Sequence, residues 1–453
     1  MKIVKSGRSV IKKRGSTKTP SKSHAPQIGA HLFWPVKRWQ ALQLNALRRH
    51  IRHADKSRLY AGRLPHSIKT LQHLADCVLT DKDQLAAVGD AAFACKPESV
   101  REWVTTSGTT GKPLRVPLTA ADLQRLAENE AVALNIAGLC QGDTLILALA
   151  LDRMFVAGLA YWLGAQKLGV ACIRAGSAYA AQLDVLKSLL CGDRRNYVIT
   201  VPSLLAGACS AEPGDNQSSA IQAVIGIGEP LRTAALIPNA LAHRLTDTLR
   251  VPALSTYACT ETCCTFAEGP KCIGGHLNPA LAVVEILDDH GAPVATGTLG
   301  EVVVTPLGVQ AMPLVRFRTG DIAALYTDPC PCGRTTPRLG PIVGRKRQLL
   351  KVRGSSLFPS AIFDCLSSIA EVQDYAVVAH REHDLSDRVE LHVCLTRNTA
   401  SVRDRLALRV RALLKVHPKI TVTSIAAIRQ LQSTANPRKP ARFIDHRPTP
   451  TKT

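Results

Sequence analysis

Four apolar runs separated by stretches of helical period constrain this chain more than any other feature. They read TLILALAL (144–151), GVACIRA (169–175), NYVITVP (196–202) and AVIGIGEP (223–230). Each has the character of a buried strand, and helical patterns such as AQLDVLKSLL (181–190) lie between them. That alternation predicts an α/β domain with a largely parallel sheet. Ahead of it, residues 36–55 put Trp39, Leu42, Leu44, Leu47 and Ile51 on roughly one helical face. A second helix is expected over 120–138, with Thr119 as N-cap.

The pattern changes near residue 281. AVVEILDDHGAPV, GEVVVTPL and MPLVRFRTGDIAALY read as short strands joined by turns, a β-rich subdomain over about 281–344. Beyond Gly344, strand-like AVVAH and VELHVCL flank helical patterns. The expected fold class is therefore α/β plus α+β, with a large N-terminal domain (31–344) and a small, mobile C-terminal α+β domain (345–453). A chain of 453 residues is too long for one core, which agrees with this division.

The formal net charge is +22, and part of it is concentrated at the start. Lys2, Lys5, Arg8, Lys12, Lys13, Arg14, Lys18 and Lys22 occur before any acidic residue. Residues 1–30 are expected to form a disordered basic tail, because such a segment cannot bury enough apolar surface to fold. No aromatic residues interleave with these charges as single-strand binding would favour, so nucleic-acid binding is not expected as the main function. The longest apolar stretch, 144–163, is broken by Asp152 and Arg153, which argues against a transmembrane helix. The start has charge but no apolar core, so no secretory signal is expected. Fourteen scattered cysteines then suit a reducing, cytoplasmic setting.

The strongest local signal is Thr105-Thr106-Ser107-Gly108-Thr109-Thr110-Gly111-Lys112-Pro113. Small hydroxyl residues and glycines let backbone N–H groups approach phosphate oxygens, and the lysine adds charge. This is not a Walker A loop, since only two residues separate the glycines and Pro113 stands where a metal-binding hydroxyl would be. Further along come Gly228-Glu229-Pro230, Tyr257-Ala258-Cys259-Thr260-Glu261, Arg318-Thr319-Gly320-Asp321, Gly344-Arg345, Arg353-Gly354 and Lys439. The nonapeptide and this ordered series resemble the adenylate-forming superfamily. FRTGDIAALYTDPCPCGRTTPRLGPIVGRKRQLLKVRGSSLFPSAI (317–362) resembles the phenylacetate–coenzyme A ligase group within it.

The resemblance implies an ATP-dependent enzyme that converts a carboxylic acid, aryl or acyl, into an acyl-adenylate. Coenzyme A would then take the acyl group. A carrier-protein phosphopantetheine, an amine or a protein cysteine is the alternative acceptor, and a homodimer is compatible with the resemblance. By the same resemblance, Thr106, Ser107, Gly108, Thr109, Thr110, Gly111 and Lys112 would hold the β- and γ-phosphates. Gly228, Glu229 and Pro230 would form the adenine-side loop, with Tyr257 against the adenine or the acid. Thr260 would bind the α-phosphate, Glu261 would hold Mg²⁺, and Asp321 would accept from the ribose hydroxyls with Arg345 close by. Lys439 would bridge acyl carboxylate and phosphate, then leave as the small domain rotates and the segment near Gly354 arrives. The family's hinge aspartate is here Gln348. Met154, Phe155, Tyr161 and Trp162 would either line the acid slot or pack as core.

The cysteines raise a separate expectation. Cys330-Pro-Cys332 can present two thiolates to one ion, and Cys272-x-x-x-His276 can supply two further ligands, a common structural zinc set. Ordinary buried thiols and a core histidine are the alternative, and Cys264 would be the substitute for Cys272. Members of the ligase group carry zinc at matching places, so the resemblance favours Zn²⁺.

Overall fold

The structure, a computed structural model, describes residues 28–106, 113–152, 154–209, 221–352, 355–383, 386–435 and 441–448. The basic residues 1–27, Ser107 to Lys112, Arg153, Arg353, Gly354 and Lys439 lie outside the described residues.

The apolar runs become adjacent parallel strands. In spatial order these are Ala171–Ile173, Thr144–Ala148, Asn196–Thr200, Ile221–Gly226 and Ala253–Cys259. Helices cover both faces, so side chains pointing either way are buried and the runs read as continuous rather than alternating. Leu145, Ile146 and Leu147 are fully buried. Each contributes about 1.5–3 kcal/mol of transfer free energy. Beyond Cys259 the sheet continues antiparallel through Cys264–Ala267, Gly275–His276, Arg338–Leu339 and Leu325–Tyr326.

The helix expected over 120–138 runs Ala120–Ile136. Thr119 Oγ1 accepts from the Asp122 amide (3.2 Å), while the Asp122 carboxylate accepts from the Thr119 amide (2.9 Å). This reciprocal box satisfies two otherwise orphaned donors and sets where the helix begins. Asp122 also accepts from the Gln310 and Ala311 amides, tying that helix start to a distant loop. The helix crosses Val156–Leu168 at Gly164, where a Cβ would stand 2.4 Å from the Cβ of Glu130. Only glycine permits so close a crossing, and Gly164→Leu would force the two helices apart.

Strands Ala282–Leu287, Gly300–Pro306, Phe317–Ala323 and Gly344–Arg345 form a separate antiparallel sheet. The stretch 281–344 is nevertheless shared, because Leu325–Tyr326 and Arg338–Leu339 join the large sheet instead. In the C-terminal region, strands Lys419–Val422, Ser386–Leu395, Val372–His383 and Phe443–Asp445 make a four-stranded mixed sheet. Helices Pro359–Ser367 and Ala400–Leu414 share its apolar core through Ile362, Leu406 and Val410.

Candidate active site

In open α/β sheets ligands collect outside the carboxyl ends of parallel strands. Here the residues following Ala148, Thr200, Gly226 and Cys259 line one cleft of about 2270 Å³, closed on its far side by the C-terminal region. That exceeds the roughly 300–1,000 Å³ of an ordinary small-ligand pocket. There is room for a nucleotide and two further substrates.

One corner is built from three strands. Val303 pairs with Arg318 and Glu301 with Ile322, so Thr319, Gly320 and Asp321 bulge out opposite the single residue Val302. Gly320 sits at φ +76°, which an L side chain would strain, and Thr319 Oγ1 donates to the Val302 carbonyl at 2.8 Å. The bulge aims Asp321 into the cleft. Arg345 pairs directly with Asp321 across the strands, and its Nε donates to Oδ1 at 3.2 Å. Tyr257 Oη donates to Oδ2 at 2.8 Å. Burial pushes the Asp321 carboxyl above its ordinary range, against the pull of Arg345 and Tyr257. Tyr257 is likewise raised by burial, then by the charge of Asp321. The corner is a carboxylate held ready to accept hydrogen bonds, with a cation beside it.

Between strands Ala253–Cys259 and Cys264–Ala267 a tight turn presents Thr260 and Glu261 to the cleft. Cys263 takes φ +47°, its amide donates to the Cys259 carbonyl, and its thiol donates to the Thr260 carbonyl. Glu261 pairs with Lys82 at 3.2 Å. Burial, then the charge of Glu261, raises the Cys259 thiol, so it stays neutral there. Glu229 is partly committed elsewhere. Its carboxylate accepts from the amide and hydroxyl of Ser203, both at 2.8 Å, at the start of helix Pro202–Cys209. Thr106, 2% exposed, closes the base of the nonapeptide loop: its amide donates to the Leu114 carbonyl and its Oγ1 accepts from the Leu114 amide.

A family model described as AMP-binding enzyme matches residues 45–312. The phenylacetate–coenzyme A ligase of Thermus thermophilus is 30% identical over 382 residues, 79% of this chain and 82% of its own. The chain belongs to the AMP-binding enzymes. The Escherichia coli phenylacetate–coenzyme A ligase is 26% identical over 427 residues, 87% of this chain and 92% of its own. Among AMP-binding enzymes this chain is thus an AMP-forming ligase of the phenylacetate–coenzyme A ligase kind. Its fold is that of 2-hydroxyisobutyryl-CoA ligase in the postadenylation state, with TM-score 0.79 and 20% identity, covering 96% of this chain and 95% of that one. The anthranilate CoA ligase AuaEII is similar at TM-score 0.55 and 19% identity, over 72% of this chain and 62% of that one.

Of the residues expected in an AMP-binding site, Thr106, Gly228, Glu229, Pro230, Tyr257, Thr260, Glu261, Asp321 and Arg345 all line this cleft. Phe155 and Tyr161 line it too, whereas Met154 and Trp162 are partly exposed elsewhere. Sequence reasoning missed Lys82, for which nothing local gave a signal. It also missed Glu130, whose signal was available: an acid on the otherwise apolar stripe of Leu126 and Leu134.

A second cluster stands apart. The ligand atoms of Cys272, His276, Cys330 and Cys332 lie within 4.8 Å of one another, and Cys264 belongs elsewhere, beside Arg125. Thiolates on a tetrahedral zinc stand about 3.8 Å apart. The sheet makes this convergence, since His276 pairs with Arg338, shortly after the Cys330–Cys332 turn. Thr336 takes His276 Nδ1 (2.9 Å to Oγ1), leaving Nε2 to face Cys332 Sγ at 3.2 Å. Burial lowers His276 to about 4, which keeps the imidazole neutral. Burial disfavours a Cys332 thiolate, but hydrogen bonds from Arg334 and the neighbouring thiols bring it below the ordinary thiol range. Three sulfurs and an oriented imidazole fit Zn²⁺.

Proposed function

We propose that this enzyme activates a carboxylic acid with ATP and passes the acyl group to coenzyme A. The acid's oxygen attacks the α-phosphate, pyrophosphate leaves, and an acyl-adenylate forms. The thiol then attacks the acyl carbon and AMP leaves. The observation that carries this reading is the meeting of Tyr257, Asp321, Arg345, Glu261 and the 228–230 loop on one cleft. The Asp321 carboxylate accepts from the ribose hydroxyls, and Arg345 offsets its charge. Thr260 reaches the α-phosphate. Glu261, paired with Lys82 here, would hold Mg²⁺, which would supply positive charge to the polyphosphate. Ser107 to Lys112 bind the outer phosphates, and Lys439 neutralises the carboxylate and phosphate as they approach. We take 31–344 as the N-terminal domain and 345–453 as a mobile C-terminal domain that exchanges Lys439 for the Gly354 segment. Cys272, His276, Cys330 and Cys332 would hold a structural Zn²⁺, with no open position for catalysis.

The relatives act on phenylacetate by name, so aryl-acetic acids head the panel. The test is AMP and acyl-CoA formation from ATP, coenzyme A and a panel of acids, read by mass spectrometry. Acid-dependent AMP release without acyl-CoA moves the acceptor to a carrier phosphopantetheine, an amine or a protein cysteine. No acid-dependent AMP release at all would overturn the proposal.

A further inference from the structure

Glu130 is 2% exposed, yet it lines the cleft. It projects from helix Ala120–Ile136 one turn beyond Leu126, which also lines the cleft, and Ala157, Ala160 and Tyr161 face it from Val156–Leu168. Its two oxygens are treated unequally. Oε1 accepts from Thr265 Oγ1 at 2.6 Å and from Asn129 Nδ2 at 3.1 Å. Oε2 is buried and has no hydrogen-bond partner among the described residues. Nearby, Tyr161 Oη hydrogen-bonds Thr256 Oγ1 at 3.3 Å, and Thr256 donates onward to the Gly226 carbonyl. A carboxylic group has thus been placed in the wall of the cleft, beside Leu126, Ala157 and Ala160 as well as Thr265, with half its bonding capacity unused. Leaving such an atom unmet is costly, and a ligand group that meets it is correspondingly favoured.

We infer that the end of this cleft selects an acid bearing an O–H or N–H donor on its acyl part, and that Glu130 Oε2 accepts from that donor. The inference rests on the adenylation reading above and names its substrate class: hydroxy- or amino-substituted acids rather than plain hydrocarbon ones. Burial raises Glu130 to about 7, so near neutral pH the carboxyl is ionised part of the time, and it is the ionised form that accepts at Oε2. A hydroxyl and an amine are the two sources of the donor, and matched substrates separate them. Sites built to hydrogen-bond a substrate group reject the analogue lacking it far more strongly than apolar slots reject an extra methylene.

The test compares phenylacetate with its hydroxy- and amino-substituted forms, in the wild-type chain and in Glu130→Gln and Glu130→Leu, by kcat/KM for pyrophosphate release. Thermal midpoints and ATP binding by calorimetry check that each variant is folded. The wild type is expected to favour at least one donor-bearing acid by about tenfold or more. Glu130→Leu is expected to lose that preference and gain on the plain acid, with Glu130→Gln between them. A wild type that uses the plain acid as well as its substituted forms overturns the inference, as does a preference that survives in Glu130→Leu. Failure of the adenylation reading looks different: ATP binds, or fails to bind, and no acid of either kind releases pyrophosphate.

Discussion

The Cys/His cluster and the Asp321 corner are both small groups of polar side chains brought together from distant sequence, and they are finished to different degrees. In the cluster every donor points at one place, and Thr336 fixes the one imidazole that could have turned. In the corner the charges are paired with one another: Asp321 with Arg345, Glu261 with Lys82. The first is closed and suits holding an ion permanently. The second is provisional: under the proposed function its partners separate or share when a substrate arrives. Closed clusters stabilise the fold, whereas provisional ones cost stability and return function.

That contrast can be broken most severely at Asp321. Asp321→Ala removes the charged acceptor proposed for both ribose hydroxyls. It is expected to lower kcat/KM for ATP by about 10²–10⁴, at one to two charge-assisted hydrogen bonds, with the fold intact by circular dichroism. Cys332→Ser should do the reverse. Bound zinc, measured by plasma emission spectrometry, falls well below one equivalent. The thermal midpoint drops by about 5–10 °C, while adenylation by the folded fraction stays within about threefold. If Cys332→Ser abolished catalysis without loss of stability, the distinction between the two clusters would be wrong.

Asp321→Asn sharpens the contrast through pH. The carboxyl is raised in the folded protein, so the folded state binds its proton more tightly than the unfolded one. Stability from this group is present below the unfolded value and is lost as pH rises through the folded one. The amide should therefore raise the thermal midpoint near neutral pH and give no gain in acid. An equal gain at every pH would show that burial of the charge is not the cause. The smallest effect is expected from Lys82→Ala. Freeing Glu261 should lower the Mg²⁺ concentration for half-maximal activity about two- to fivefold, the scale of a half-exposed ion pair.

How much of this was legible in the letters depends on range. The parallel strands and the helix Ala120–Ile136 were readable because burial on both faces, and a Thr–Asp box, leave local signatures. Asp321, Tyr257 and Arg345 were readable as an ordered set, though nothing local shows that a strand bulge and a cross-strand pairing bring them together. The Cys272, His276, Cys330 and Cys332 set was readable as metal-ligand chemistry, though not the strand pairing of His276 with Arg338 that brings it together. Glu229 reads as a ligand loop residue, yet its carboxylate is tied to the Ser203 helix start. Lys82 was illegible, because an ion pair spanning 179 positions of chain (82 to 261) has no period and no motif.

Arg447 donates to the carbonyls of Leu349 at 2.8 Å and Arg347 at 3.0 Å, while also gripping Asp387 and Asp445. The segment that follows the Asp321 corner is thereby laced to residue 447 by one guanidinium. Arg347, Leu349, Asp387, Asp445 and Arg447 all lie beyond Gly344, so a rotation about that point would carry this knot along whole. A tag or truncation near residue 447 therefore disturbs the backbone at 347–349, a hundred positions away in the chain.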